Sequence, residues 1–306
     1  MKKCMGCMND YEETRGICPT CGYSDAAAEE QMRKAPDLIA PETILAGRFI
    51  VGRALSLSGF SAVYLAWDAL LLRRVVIREL FPYELCRREP DGLRLTPEPG
   101  APKGLMTECV MKFEREVSLL SGSQDIPMVL NYYRSFKENG TIYAVTEYLE
   151  GSTLEDLYGG DRKAPASLCK KILSTVGAAL DQLHARGIIH ANLSPSSIYM
   201  CSNGELALID FGMTKRWLSS RMRKDPGILD LRYSAPEILM RKVDPTVDMY
   251  STGAVCWHLL TGKNPPDRLK KRIHIRDEGM GRLIDELTAA KPEDRPESFH
   301  AAGVYT

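Results

Sequence analysis

The spacing of apolar residues changes character once along this chain, near Gly151, and that single change limits the folds open to it. Before Gly151 the apolar residues come in short runs of β type, at 48–53, 62–67 and 73–79. A further pair, 129–136 and 141–148, turns through Glu138-Asn139-Gly140. Runs of this length bounded by turn residues predict strands. One helix interrupts them over 107–120, where Val110, Phe113, Val117 and Leu120 share a face. The stretch 87–103 is rich in Pro, Gly and charge and reads as an exposed loop. Beyond Gly151 the period lengthens. Leu168, Ile172, Val176, Leu180 and Leu183 line one face of 167–186, and Gly187 stands where a closing residue belongs. Residues 247–261 are apolar nearly all round, as a central helix should be, and 283–290 supplies another. Strands first and helices after predict an α+β protein of two lobes.

The N-terminus follows a different logic. Cys4-Met5-Gly6-Cys7 and Cys18-Pro19-Thr20-Cys21-Gly22 are two knuckles, each placing two thiols on one turn with a glycine beside it. So short a segment with so few apolar residues cannot fold without a staple, and four soft ligands in a closed tetrahedral set suit a structural Zn²⁺. A redox Cys-x-x-Cys would sit in a βαβ setting, which is missing. The remaining cysteines, Cys86, Cys109, Cys169, Cys201 and Cys256, are scattered and read as thiols in a reducing compartment. The residues between the knuckles and the first strand, 23–43, read as a linker with some helical character.

Charge narrows the partners. The 306 residues carry 40 Lys and Arg against 40 Asp and Glu, a net charge of zero. The basic clusters at 221–224 and 270–272 are short and read as solvated faces, which argues against a nucleic-acid partner. The basic start is not followed by the apolar stretch of a secretory signal, and no apolar run is long enough to cross a bilayer. A cytoplasmic protein is expected.

Three motifs remain: His190-Ala191-Asn192-Leu193-Ser194-Pro195-Ser196-Ser197, then Asp210-Phe211-Gly212, then Ala235-Pro236-Glu237. They keep the order and the apolar letters of H-R-D-L-x-x-x-N, D-F-G and A-P-E. On these residues, 48–299 resembles a Ser/Thr-type protein kinase domain, and the whole chain resembles bacterial kinases that carry an N-terminal zinc ribbon. The resemblance implies a zinc ribbon at 1–22, the linker 23–43, and a kinase-like domain at 44–306 with an N-lobe at 44–149 and a C-lobe at 150–306.

What the resemblance implies about chemistry is mostly loss. Ser56, Ser58 and Ser61 stand at the three glycine positions of the phosphate loop G-x-G-x-x-G-x-V, with Val63 at the valine. Arg78 stands for the lysine of V-A-I-K and keeps Glu116 as a helix partner, while its planar fork replaces a compact ammonium poorly on phosphates. Val76 takes the place of the alanine above adenine, Tyr199 that of the aliphatic residue below, and Thr146 the gatekeeper position. Asn192 stands where an aspartate acts as general base, and an amide has no useful basicity. Ser197 replaces the asparagine that binds a second Mg²⁺, Ala191 the arginine that clasps an activation-loop phosphate, and Ser194 a lysine two residues after the base. Asp210 alone survives as a metal ligand. Scaffold positions persist: His190, Phe211, Asp248, and Glu237 with Arg295.

The expectation is therefore a pseudokinase, a kinase fold acting as a regulatory or binding module for another protein (a kinase, a substrate or a regulator), with MgATP bound weakly or not at all. The alternatives are a weakly active Ser/Thr kinase, because phosphoryl transfer relies mainly on positioning and electrostatics, and another nucleotidyl transfer supported by Asp210.

Overall fold

The computed structural model describes residues 1–12, 16–221, 229–240, 243–265 and 277–305. Most of the 221–224 cluster and all of 270–272 lie outside them. The chain divides into two compact units. Met1–Ser121 joins Asn131–Tyr148 in the first, and Gly122–Leu130 joins the chain from Leu149 onward in the second.

The first unit begins with a two-stranded hairpin, β1 (Lys2–Lys3) against β2 (Asp10–Tyr11), beside the cysteine knuckles. Helix α1 (Asp25–Lys34) follows, capped by Ser24, whose hydroxyl accepts from the Ala27 amide. The stretch expected to be a linker is thus built into the unit. The Gln31 side chain bonds both the carbonyl (2.9 Å) and the amide (3.1 Å) of Ala54, while Leu38 and Ile39 join the core. The knuckles are anchored as well. The Arg53 amide donates to Met5 O, its guanidinium donates to Gly6 O at 2.8 Å, and Met5 and Met8 pack on Leu65. Gly52 is required at this junction, since a Cβ there would lie 2.2 Å from the Met8 methyl and 2.5 Å from Met5 O.

Six antiparallel strands make the main sheet: β3 (Ile44–Leu45), β4 (Phe49–Leu57), β5 (Ser61–Asp68), β6 (Arg73–Leu80), β10 (Thr141–Glu147) and β9 (Tyr132–Glu138), in that spatial order. Alternation decides the faces. On β6, Val75, Ile77 and Glu79 are buried while Arg74, Val76 and Arg78 are half-buried. Helix α2 (Leu105–Ser121) buries Leu105, Cys109, Phe113, Glu116, Val117 and Leu120; of the face predicted for 107–120, Phe113, Val117 and Leu120 are buried and Val110 is half-buried.

The stretch 87–103 departs from its expected exposed loop. It holds a hairpin, β7 (Cys86–Arg88) against β8 (Leu95–Pro97), and Arg88 turns inward. Its guanidinium reaches Glu79 at 2.7 Å, with the two side chains 2% and 0% exposed, and also bonds the carbonyls of Asp37 and Leu93. Glu79 accepts from the Tyr64 and Tyr143 hydroxyls, each at 3.1 Å. A carboxylate buried on the sheet's inner face demands a cation, so a charged stretch that reads as solvated supplies one.

The second unit opens with Gly122–Leu130, expected within the N-lobe. Its placement has local causes: the Leu208 amide donates to Met128 O, and Arg186 grips Asp125 through two bonds of 2.7 and 2.6 Å. The first strand of the predicted 129–136 pair accordingly starts only at Tyr132. A three-stranded sheet follows, β11 (Gly151–Thr153), β12 (Ile198–Cys201) and β13 (Leu206–Leu208). The helices are α3 (Leu154–Tyr158), α4 (Ala166–Lys171), α5 (Gly177–Ala185), α6 (Met213–Ser219), α7 (Thr246–Thr261) and α8 (Glu278–Leu287). The predicted helix 167–186 is α4 and α5 joined by a wide π turn, Ile172–Val176, and Gly187 closes it at φ +72°. Helix α8 starts five residues before its predicted span, because Asp277 caps it by accepting from the Met280 amide. Helix α7 is buried along almost its whole length, and the buried pair Arg295–Glu237, at 2.6 and 3.1 Å, also fastens Thr246 O at its start.

Arg88→Met is expected to destabilise the first unit by about 3–5 kcal/mol, since Glu79 is left buried without its cation. Urea unfolding followed by tryptophan fluorescence measures it, and a change under about 1 kcal/mol would contradict the pairing.

Candidate functional site

In the first unit, the segment at the phosphate-loop position is the turn between β4 and β5. The Ser58 hydroxyl accepts from the amides of Phe60 (3.3 Å) and Ser61 (3.1 Å), and the Ser58 amide donates to Ser61 O at 3.0 Å. Backbone amides at this position are what a glycine loop presents to anions; here a serine oxygen already accepts from two of them. Ser56 is exposed and pairs in register with Val63, and Ser61 is buried at the start of β5. Sequence reasoning read Ser58 as a lost glycine and missed this role, although a short hydroxyl two and three residues before those amides is the pattern of a serine turn.

On β6, Arg78 lies in register with Val63 on one side and Ala144 on the other. Its Nη1 donates to Glu116 Oε1 at 3.2 Å; the Glu116 side chain is 1% exposed, and the guanidinium carbon lies 5.0 Å from the centre of the Phe113 ring. Val76 is half-buried opposite Thr146, which is buried and donates its hydroxyl to Glu147 O at 3.3 Å.

In the second unit, the loop 190–197 is fastened from below. The wholly buried Asp248 carboxylate on α7 accepts the amides of His190 and Ala191, and it bonds the His184 ring, each at 2.8 Å. Burial would raise this carboxyl, but His184, His190 and the Ala191 amide hold it below the usual carboxylate range. The His190 ring is pushed down to about 4, chiefly by burial, so it is neutral at pH 7. A neutral ring requires one donor and one acceptor nitrogen: Nε2 donates to Ile209 O at 3.1 Å, and Nδ1 accepts the Asn192 amide at 3.3 Å. The ring also packs on Phe211, with centroids 4.3 Å apart. Gly212 allows the two loops to meet, because a Cβ there would lie 2.4 Å from Asn192 Cβ.

Asn192 uses its amide nitrogen as a donor toward Asp210, reaching the backbone carbonyl at 3.2 Å and Oδ2 at 3.0 Å. Lys215 Nζ meets the same Oδ2 at 2.5 Å. Asp210 itself adopts φ +58° and Ala191 φ +59°, unusual values for residues with side chains. The Ser197 hydroxyl closes its own turn, accepting the Ser194 amide at 2.9 Å and donating to Ser194 O at 3.0 Å, with no exposure at all. Tyr199 is half-buried on β12, its hydroxyl donating to Leu149 O at 3.3 Å. The structure thus brings Asn192 and Asp210 together, and keeps Ser197 on its own turn. Lys215 escaped sequence reasoning: a helix beginning three residues past Asp210 is needed to turn it back, and no periodicity announces α6.

The knuckle cysteines converge. The sulfurs of Cys4, Cys7, Cys18 and Cys21 lie within 4.8 Å of one another, with Cys4–Cys21 at 3.6 Å and Cys7–Cys18 at 3.8 Å. A tetrahedral ion bound by four thiolates at about 2.3 Å has sulfur–sulfur edges of about 3.8 Å, so the set could hold a metal ion. Burial acts against ionisation of Cys18, but the amides of Cys21 and Thr20 and the neighbouring thiols hold it at about 6, which supplies a thiolate at neutral pH. The Gly6 amide donates to Cys4 Sγ at 3.3 Å, orienting one of the four sulfurs.

Residues 103–301 match the protein kinase domain, and the chain belongs to that family. It is similar to serine/threonine-protein kinase F of Synechocystis sp., with 26% identity over 278 residues covering 82% of this chain and 53% of the relative. Aurora kinase C of mouse is 28% identical over 218 residues, 71% of each chain. The chain spans about half the length of the Synechocystis relative. The solved structure "PpkA-294 apo form" shares the fold, with a TM-score of 0.77 over 87% of this chain and 98% of that one at 24% identity. Among the described residues, no helix is long and apolar enough to cross a membrane.

Arg78→Met is expected to lower stability by about 3–5 kcal/mol, because Glu116 loses its cation where it is buried. Thermal unfolding checks it, and an unchanged melting temperature would mean that the pair contributes nothing.

Proposed function

We propose that this protein is a pseudokinase, a kinase fold that serves as a regulatory or binding module for another protein and transfers no phosphate. The observation that carries the reading is Asn192: at the position of the general base it acts as a hydrogen-bond donor, spent on Asp210. A group that must accept a proton cannot be one that already donates to its neighbour and has no basic nitrogen. The phosphate-loop amides bonded by Ser58 and the Ser197 hydroxyl folded onto Ser194 support the same reading. The resemblance assigns the remaining nucleotide positions to Ser56, Ser61, Val63, Val76 and Thr146 in the first unit and to Tyr199 in the second.

Phosphoryl transfer from labelled ATP to a generic protein substrate tests this. Incorporation should not exceed that of Asp210→Ala, and Asn192→Asp with Ser197→Asn should not restore it, because the loop amides stay occupied. Each lost charge-assisted contact removes roughly 1.5–3 kcal/mol, so calorimetry should place MgATP in the millimolar range or beyond. Micromolar affinity abolished by Asp210→Ala, together with transfer above background, would establish a weak kinase instead.

The metal is proposed to be zinc, with a structural role: four cysteine sulfurs close a tetrahedron and leave no position for water. The free cysteines favour a reducing compartment, hence the cytoplasm. Elemental analysis of protein purified without added metal should give about one zinc per chain. Because Met5 and Met8 belong to the first unit's packing, chelation or Cys18→Ser should lower the melting temperature of that whole unit. Metal-free protein with an unchanged melting temperature would refute the assignment.

A further inference from the structure

Asp210 is the one magnesium ligand of the family's set that this chain keeps, and a cation already sits on it. The Lys215 ammonium lies 2.5 Å from Asp210 Oδ2 on a side chain only 4% exposed. Lysine is rarely buried to this degree unless its charge is matched, because removing an ammonium from water is costly. The fold holds it there. Helix α6 starts at Met213, the Arg216 amide donates to Gly212 O, and Thr214 and Leu218 are buried. The first turn of α6 therefore carries Lys215 back over the carboxylate that precedes it.

Magnesium does not fit these surroundings. The ion requires oxygen acceptors in near-octahedral array at about 2.0–2.1 Å. Oδ2 instead receives two hydrogen-bond donors, the Lys215 ammonium and the Asn192 amide nitrogen at 3.0 Å. The residue at the second ligand position, Ser197, has its hydroxyl committed to Ser194 in both directions. Donors stand where the ion needs acceptors, and a positive charge stands where the ion's own charge would go.

We propose that Lys215 replaces the divalent cation at Asp210, so that the site does not take Mg²⁺ or Mn²⁺, and a phosphate-bearing compound that reaches it binds without metal. The ammonium already gives one N–H to Asp210 Oδ2, and a phosphate beside that pair meets an ammonium and needs no ion from solution. Lys215 is then the residue that sets the metal-independence of this domain. The inference rests on the pseudokinase reading and deepens it.

Manganese titration of the 306-residue chain purified with its own metal, followed by electron paramagnetic resonance, tests it. Wild type and Asp210→Asn should bind Mn²⁺ equally poorly. Lys215→Met should gain a site at least about tenfold tighter, and that site should vanish in Lys215→Met/Asp210→Asn. Lys215→Arg, which keeps the charge, should stay blind to manganese. Binding of the fluorescent analogue trinitrophenyl-ATP to wild type should be unchanged by EDTA brief enough to leave zinc in place. Mn²⁺ binding by wild type that Asp210→Asn removes would overturn the proposal, even if the Lys215 variants fail to fold. So would a folded Lys215→Met that gains nothing. A parallel transfer assay separates the two readings: manganese at Asp210 without phosphate transfer defeats only the resident cation, whereas transfer defeats the pseudokinase.

Discussion

The buried carboxylate of Asp248 organises the second unit. It sits on α7 with no exposure and receives the amides of His190 and Ala191 and the ring of His184, each at 2.8 Å. A charge that deep in an apolar helix is tolerated only while those bonds persist. The loop that begins at His190 is therefore held in one place, even with Ala191 in a left-handed conformation that a side chain disfavours. His190 passes the constraint on: its neutral ring bridges the Asn192 amide and Ile209 O and stacks on Phe211. The positions of Asn192 and Asp210 follow from that chain of contacts and not from any ligand.

The kinase scaffold is held by contacts that need no nucleotide. Asp248, His190, Phe211 and the Glu237–Arg295 pair bond to backbone or to one another, so their stabilising contribution is independent of nucleotide. The positions that meet phosphate or metal in the family are bonded locally here. Amides and hydroxyls gain by bonding locally, since a buried polar group left unmade costs about 1–3 kcal/mol. Ser58, Ser197 and Asn192 each show the result: a small polar side chain turned onto the nearest donor or acceptor of its own chain.

The first unit shows the same economy in its additions. The cysteine knuckles are not tethered loosely ahead of the sheet; Arg53 bonds two of their carbonyls or adjoining ones, and Met5 and Met8 complete the packing around Leu65. Likewise α1, the segment after it and the hairpin of β7 and β8 bring Gln31, Leu38, Ile39 and Arg88 to the sheet. Glu79, with Arg88 and two tyrosine hydroxyls around it, ties these additions to the sheet's interior.

Local pattern was enough for much of this. The short β-type runs of β4, β5 and β6, the apolar face of α2, the all-round apolarity of α7 and the paired spacing of Cys4, Cys7, Cys18 and Cys21 are each readable in the sequence, because they depend on near neighbours in the chain or on one repeated chemistry. The kinase order of motifs, and Asn192 in place of the motif's aspartate, were readable for the same reason. Tertiary structure alone decided what depends on partners distant in sequence or on a turn with no periodic signal: Arg88 drawn inward by Glu79, residues 122–130 fastened to the second unit by Arg186, and Lys215 carried onto Asp210 by α6. A charged residue looks the same in sequence whether water or a buried carboxylate surrounds it, and only the folded chain determines which of the two it meets.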